Sequence, residues 1–296
     1  MHLAGRARDL LTPAGGGEAR TCAEDAFEAV LKPDRTIVSI AASPARAPLD
    51  ALVGQRGGGH LRRVLDEQFP EERDAGTPLN LLLDDISGAS LIAAWAWSQW
   101  GQEWMEEMRR YKADPNFAKA FNRVNICTGL AEGSSGLGLI AEGAPTADLR
   151  RIDDPAGWHT FPEDEGPGMR RARRIDVEVR DDLILIDAAF QDTAEQPDGR
   201  RMALHEYSIA ATTDWSFKLL TLVAEPRVLP FAECPAAADN VTRLLGAPLP
   251  SLRKLVPVEL RRTAGCTHLN DALRALSDVP VLASRLSDAT AESATD

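Results

Sequence analysis

The stretch IDVEVRDDLILIDAAF, residues 175–190, decides the fold. Ile175, Val177 and Val179 alternate with Asp176, Glu178 and Arg180, the period of two that marks a strand with one buried face. Leu183 to Phe190 reads as a second strand, and Asp181-Asp182 leaves room only for a tight turn between the two. Toward the C-terminus, Met202–Thr212 and Phe217–Val223 read as two more strands, with Gln196-Pro197-Asp198-Gly199 as the turn before the third. Four neighbouring strands on short connections predict an antiparallel meander. Helices are expected after it, over about Pro235–Leu245, Leu249–Arg262 and Thr267–Leu276, with Gly246 and Gly265 where helices stop. Strands first and helices afterwards predict an α+β domain over 166–280, one sheet with helices on one face. Residues 281–296 are polar and expected to fray.

Upstream, residues 1–35 read as a flexible lead-in around Gly15-Gly16-Gly17, then a short helix over Thr21–Leu31. Thr36–Ala42 is strand-like, Leu61–Phe69 is a short helix stopped by Pro70, and Gly88 opens a long helix over about Ala89–Lys112. Residues 36–165 are therefore expected to form an α-rich half of helices and loops, ending in the Pro- and acid-rich linker Asp153–Gly168. On the long helix Trp97, Trp100 and Trp104 share a face, which places them against the core or against a second copy of the chain in a homodimer, the alternative being an aromatic wall for a ligand. The Gly-rich stretch Gly129–Gly143 lacks the spacing and the Lys-Ser/Thr of a phosphate-binding loop.

The 296 residues are 44% hydrophobic and 26% charged, ample for a buried core. A net charge of −12 argues against nucleic acid and anionic membrane as partners. The one basic run, Arg170-Arg171-Ala172-Arg173-Arg174, reads as the solvated start of the first meander strand. The longest apolar run, around Ser90–Trp97, falls short of the ~20 residues a membrane span needs. Cys22, Cys127, Cys234 and Cys266 are widely spaced and no apolar leader precedes them, so a cytoplasmic protein with reduced thiols is expected.

Chemistry concentrates near the C-terminus. His205 lies in the third meander strand, Cys234 at the start of a helix, and Cys266 and His268 at the start of the next. Thiolate and imidazole are ligands for zinc or iron and serve as nucleophile and base near neutral pH. A helix N-terminus favours thiolate through its free amides and partial positive charge. His205, Cys234, Cys266 and His268 are therefore the candidate metal ligands. Against this, there is no C-x-x-C pair, and positions i and i+2 do not share a face of a regular helix. Asp192, in the turn after the second strand, and Glu206 are the carboxylates placed to act as general base beside such a metal.

The blocks LNLLLDDI (79–86), RRID (173–176), HEY (205–207), LPFAECP (229–235) and CTHLND (266–271) resemble the bacterial DUF2889 family, of unknown function, over roughly residues 36–280. The order of elements and ligands also resembles the iron–sulfur scaffolds of the IscU/NifU type, with a SufE/NifU-like sheet and helices. The likeness implies a metal pocket built from His205, Cys234 and the Cys266/His268 pair. Two departures stand out: His205-Glu206 replaces the scaffolds' Cys-Gly-Asp, and their His-Cys order is reversed.

The expected function is a zinc- or iron-dependent enzyme acting on a small metabolite, with the N-terminal half shaping a pocket. The alternatives are a metal or cluster carrier with an exposed site, a metal-free Cys/His thiol enzyme, and a purely structural metal site.

Overall fold

The computed structural model describes residues 1–13, 17–46, 49–93, 95–96, 100, 106, 110, 113, 123–138, 144–145, 159 and 166–293. The protein is α+β and divides into two compact units. One comprises Met1–Ala94, Arg150–Glu163 and Ser284–Asp296; the other comprises Trp95–Leu149 and Asp164–Ala283.

The first unit carries an antiparallel sheet, β1 (His2–Leu11), β2 (Arg20–Leu31) and β3 (Ile37–Ser43), in that order. The lead-in and short helix expected over 1–35 are thus strands. Asp25, Phe27, Ala29 and Leu31 are buried in alternation, and that period of two overrides the helix propensity of Ala and Glu between them. Helices α1 (Gly59–Gln68), α2 (Pro70–Asp74) and α3 (Pro78–Ile92) follow. Leu61, Leu65, Leu79, Leu83 and Ile86 form one apolar core with Phe27, Leu31 and Ile37. Within 36–165 the described elements are mostly helical, with β3 and the two-residue strand Ala144–Pro145 as the strands.

Helix α3 starts where Thr77 accepts the Asn80 N–H at 3.1 Å and Pro78 occupies the first turn. It runs through Gly88, which was expected to open a separate helix; the buried sequence on both sides carries it across. Most of that expected helix, with Trp97 and Trp104, lies outside the described residues. So does nearly all of the linker expected over Asp153–Gly168.

Asp25 fastens α3 to the sheet. One carboxylate oxygen takes the Arg46 guanidinium at 2.6 Å and the other takes the Leu79 N–H at 3.0 Å. Asp25→Ala leaves a buried amide unpaired and is expected to cost about 1–3 kcal/mol, read as a lower urea midpoint at unchanged m-value.

The second unit is built on the meander. Strands β5 (Met169–Arg180), β6 (Leu183–Glu195), β7 (Arg201–Thr213) and β8 (Leu219–Val228) pair antiparallel in sequence, and the two-residue β4 (Ala144–Pro145) joins β7 beside β8. Asp181, at φ 54°, makes the β5–β6 turn between the paired Arg180 and Leu183. Gly199, at φ 77°, shapes the β6–β7 turn.

Register rows give the sheet its inner face. Val177, Ile186, Ala211 and Leu222 lie side by side across β5–β8; so do Ile175, Ala188, Ile209 and Ala224. These rows pack against Val241, Leu244, Leu252, Val256, Leu269 and Leu273. The covering helices are α4 (Ala236–Asp239), α5 (Leu252–Glu259) and α6 (Thr267–Ala275), with 3-10 turns at Asn240–Leu244 and Leu249–Ser251. The last helix, α7 (Val279–Ser293), occupies most of the stretch expected to fray, and its buried Val279 and Ala283 anchor it. Among the described residues no helix is long and apolar enough to cross a membrane.

Candidate metal centre

Continuing the inner-face rows toward the turn of β6–β7 replaces apolar residues with charged ones. The next row is Arg173, Phe190 and Tyr207, and the one beyond it is Arg171, Asp192 and His205. Strand alternation thus sets Asp192 and His205 directly opposite each other on the helix-covered face. Just past this pair the register shifts, leaving Leu204 as an extra residue of β7.

Helix α6 closes the site. Cys266 is its N-cap residue, and His268 and Asp271, three apart, both point toward the sheet. Gly265 precedes the cap because a side chain there would overlap the Leu260 carbonyl. The His268 ring stacks on the His205 ring, with centroids 3.4 Å apart and planes 18° from parallel. Asp192 Oδ2 lies 3.9 Å from His205 Nδ1 and 3.7 Å from His268 Nε2. The three groups form a set whose ligand atoms all lie within 4.8 Å of one another. They are 0%, 4% and 8% exposed, so water does not satisfy them. His205 Nδ1 and His268 Nε2 are buried without any hydrogen-bond partner. Two orphaned imidazole nitrogens facing one carboxylate oxygen fit a cation of nitrogen- and oxygen-liking character.

Arg171 holds the carboxylate. Its Nε and Nη2 donate to the two oxygens of Asp192 at 2.9 and 3.0 Å, and its Nη1 donates to Asp271 at 2.8 Å. The Arg171 guanidinium also lies over the Phe190 ring, 4.9 Å from its centroid. Arg173 approaches as well, its Nη2 donating to the Asp271 backbone carbonyl at 3.3 Å, so two guanidinium groups and two carboxylates meet beside the histidines. Burial, then His268, push His205 well below the usual imidazole range, with Arg171 adding to the effect against Asp192. Burial, then Arg171, lower His268 to about 3. Both rings are therefore neutral at pH 7, the form that binds metal.

Of the residues singled out in the sequence, Asp192, His205 and His268 meet. Cys266 adjoins them, its sulfur 3.7 Å from His268 Nδ1, which makes it a neighbour of the set and not a member. Cys234 is buried near Cys266 and also lies outside the set. Position i+2 in α6 explains the split: Cys266 is the N-cap residue, before the first helical turn, and His268 lies within that turn. Glu206 is on the opposite face of β7, paired with Gln191 at 2.9 Å and Arg227 at 3.2 Å, so it does not stand beside the histidines. Trp100, from the tryptophan stripe, donates its indole N–H to the Glu195 carbonyl at 2.9 Å.

Arg171 and Arg174, read from sequence as a solvated strand start, are half-buried residues whose side chains are only 5% and 8% exposed. Counting back by twos from Val177 and Ile175 places Arg173 and Arg171 on the core face, and that signal was present in the sequence. Trp95, whose ring centroid lies 5.7 Å from His205 and 6.3 Å from Phe231, carried no such signal.

Residues 169–282, the strands β5–β8 and the helices that carry this centre, match a family model described as a protein of unknown function (DUF2889). This segment is a DUF2889 domain. The match takes in the RRID, HEY, LPFAECP and CTHLND blocks and leaves out LNLLLDDI at 79–86, so it is narrower than the resemblance over 36–280 implied. Asp192, His205 and His268, with Arg171 and Asp271, all fall inside the DUF2889 domain. Neither the curated proteins nor the solved structures compared with the chain match it, and the iron–sulfur scaffold likeness finds no support there.

Proposed function

We propose that the DUF2889 domain of this chain is the metal-binding part of an enzyme that acts on a small metabolite. Asp192, His205 and His268 are the ligands of one zinc or iron ion. The observation that carries this reading is the pair of buried, unpartnered imidazole nitrogens facing Asp192 Oδ2. Two histidines and one carboxylate are a ligand set for zinc and for non-haem iron alike, and three protein ligands leave coordination positions for water or substrate. An ion so held supplies Lewis-acid chemistry and acidifies a bound water.

The chain's own groups have separable tasks. Arg171 fixes the Asp192 carboxylate through two hydrogen bonds, and Asp271 fixes Arg171 from the other side. The Cys266 sulfur lies against His268 Nδ1, which favours the tautomer that leaves Nε2 free as a ligand. Trp95 and Phe231 offer aromatic walls suited to an apolar portion of a substrate.

Burial of the three ligands favours an enzyme over an exposed carrier. Burial also pushes the Cys234 thiol up to about 12, which weighs against a thiol nucleophile.

Elemental analysis of the purified protein tests the reading. About one equivalent of zinc or iron is expected at Asp192/His205/His268, with His205→Ala and Asp192→Asn each lowering affinity for it about 100-fold or more. Metal uptake by His205→Ala and Asp192→Asn equal to that of the unaltered chain would remove the reading.

A further inference from the structure

Helix α5 ends at Glu259, short of the stop near Arg262 expected from sequence. Leu260 is its C-cap, and a 3-10 turn over Arg262–Ala264 follows. Arg262 takes a left-handed backbone at φ 52°, uncommon for a residue with a long side chain. Donors from three other places in the second unit hold this loop by its carbonyls. Asn270 Nδ2 donates to the Leu260 carbonyl at 2.9 Å and Asn240 Nδ2 to the Ala264 carbonyl at 3.0 Å. The Thr128 hydroxyl lies 2.9 Å from the Thr263 carbonyl, and the Thr128 N–H donates to the Gly265 carbonyl at 2.9 Å. The backbone is thus fastened to the protein while Arg261, Arg262 and Thr263 stand exposed.

This loop, the end of α5 and the 3-10 turn Asn240–Leu244 line an open cleft of about 640 Å³. That is the size of a small-molecule site. Arg243, Arg261 and Arg262 all line it, with Thr263, Val258 and one acid, Glu259. Arg243 Nη1 donates to the Glu259 backbone carbonyl at 3.2 Å, which ties that side chain to the wall. Among the described residues no carboxylate pairs with any of the three arginines.

The lining therefore carries a formal charge of +2, on a chain whose net charge is −12. An excess of cations in one place on an acidic chain is not the general character of its surface. Three guanidinium groups around one space repel one another, and an anion among them turns that repulsion into attraction. Their planar forks match the paired oxygens of phosphate and carboxylate. A single exposed ion pair is worth little, but three donors on one ligand add up, and a loop already held in place costs little to order. The exposed Val258 offers an apolar surface to a carbon skeleton.

We propose that this cleft binds a small organic dianion, a phosphate monoester or a dicarboxylate, with Arg243, Arg261 and Arg262 donating to its oxygens. The site lies within the DUF2889 domain, uses no group of the Asp192/His205/His268 centre and needs no metal.

Calorimetric titration of the full-length chain tests this, with glycerol 2-phosphate and succinate as probes at one fixed ionic strength. Saturable binding of at least one probe is expected, with a dissociation constant below about 1 mM. The tighter probe identifies the group that the cleft selects. Arg243→Gln, and separately Arg261→Gln with Arg262→Gln, should each weaken binding at least about tenfold through lost charge-assisted hydrogen bonds. All three positions are exposed, so the variants should keep the circular dichroism spectrum of the unaltered chain. Lys254→Gln removes an exposed cation of the same helix outside the cleft and should leave binding unchanged. Stripping the chain of metal should leave it unchanged too. No saturable binding of either probe to the unaltered chain up to about 20 mM overturns the proposal. Undiminished binding in the arginine variants overturns it as well. An equal loss in Lys254→Gln would mean a general attraction to cations, and a loss on stripping would place the anion at the metal centre; either refutes it. Failure of the metal reading would show in elemental analysis and leave these titrations as they are.

Discussion

Arg171→Met is expected to lower stability by about 3–5 kcal/mol, the range for removing one member of a buried ion network. The side chain is 5% exposed, and both of its partners, Asp192 and Asp271, are buried more deeply still. Three of its hydrogen bonds go to carboxylate oxygens, at 2.8 to 3.0 Å. Met matches the length of the aliphatic stem and keeps contact with Phe190, so the loss isolates charge from packing. What remains is two buried carboxylates that have lost the guanidinium bridging them. The loss is large because the orphaned charges are stranded, not because the intact network is worth that much. The triple change Arg171→Met/Asp192→Asn/Asp271→Asn is therefore expected to recover a good part of it. Urea unfolding of the unaltered chain, Arg171→Met and the triple variant reads the effect directly. A loss under about 1 kcal/mol in Arg171→Met would show that water reaches the carboxylates and that the network is not closed. The same substitution separates two roles of Arg171. If it only holds Asp192 in place, metal affinity falls with stability; if its charge opposes the cation, affinity rises while stability falls.

This residue also shows how far the sequence could be read. Strand order, turns and helix positions of the DUF2889 domain were legible because hydrophobic period and turn residues act locally. The polar end of the inner face was legible in part. Asp192 and His205 sit at positions that alternation assigns to the core face, but their opposition depends on register, which is set by the Asp181-Asp182 turn and by the shift at Leu204. Arg171 was misread because a basic run at the start of a strand resembles a solvated edge; only pairing with Asp192 and Asp271 makes its burial tolerable. In the first unit the misreading of β2 came from composition: Ala and Glu favour helix, and only the alternate burial of Asp25, Phe27, Ala29 and Leu31 discloses the strand.

In the metal-stripped protein, acid should destabilise the fold well before the carboxylates titrate. Burial holds His268 at about 3 and His205 well below its usual range, while both titrate near 6.5 in the unfolded chain. The unfolded state therefore binds two more protons than the native state once the pH falls below about 6.5. Stability from these two groups is fully present above that pH and is lost as pH falls through it toward the lower native values. The slope is about 1.4 kcal/mol per pH unit for a titrating histidine, so His268, at about 3 in the native state, accounts for a loss of roughly 2 kcal/mol between pH 7.5 and 5, and His205 adds to it in the same direction. The charged groups facing the rings do not reverse this. Asp192 favours protonation of His205, and Asp271 that of His268, but Arg171 and burial oppose both. His268→Gln removes one of the two protons from the balance and should roughly halve the slope between pH 6.5 and 5, measured by urea unfolding at each pH. A wild-type stability that stays flat over this interval would mean that both rings take up protons in the folded state, and so that the pocket is wetter than its burial implies. With metal bound, the native rings carry no proton, as in the stripped protein, so the slope over this interval should stay the same while the whole curve is raised by the binding free energy of the ion. The contrast between stripped and metal-loaded protein thus reports occupancy of the Asp192/His205/His268 centre through folding alone, with no substrate needed.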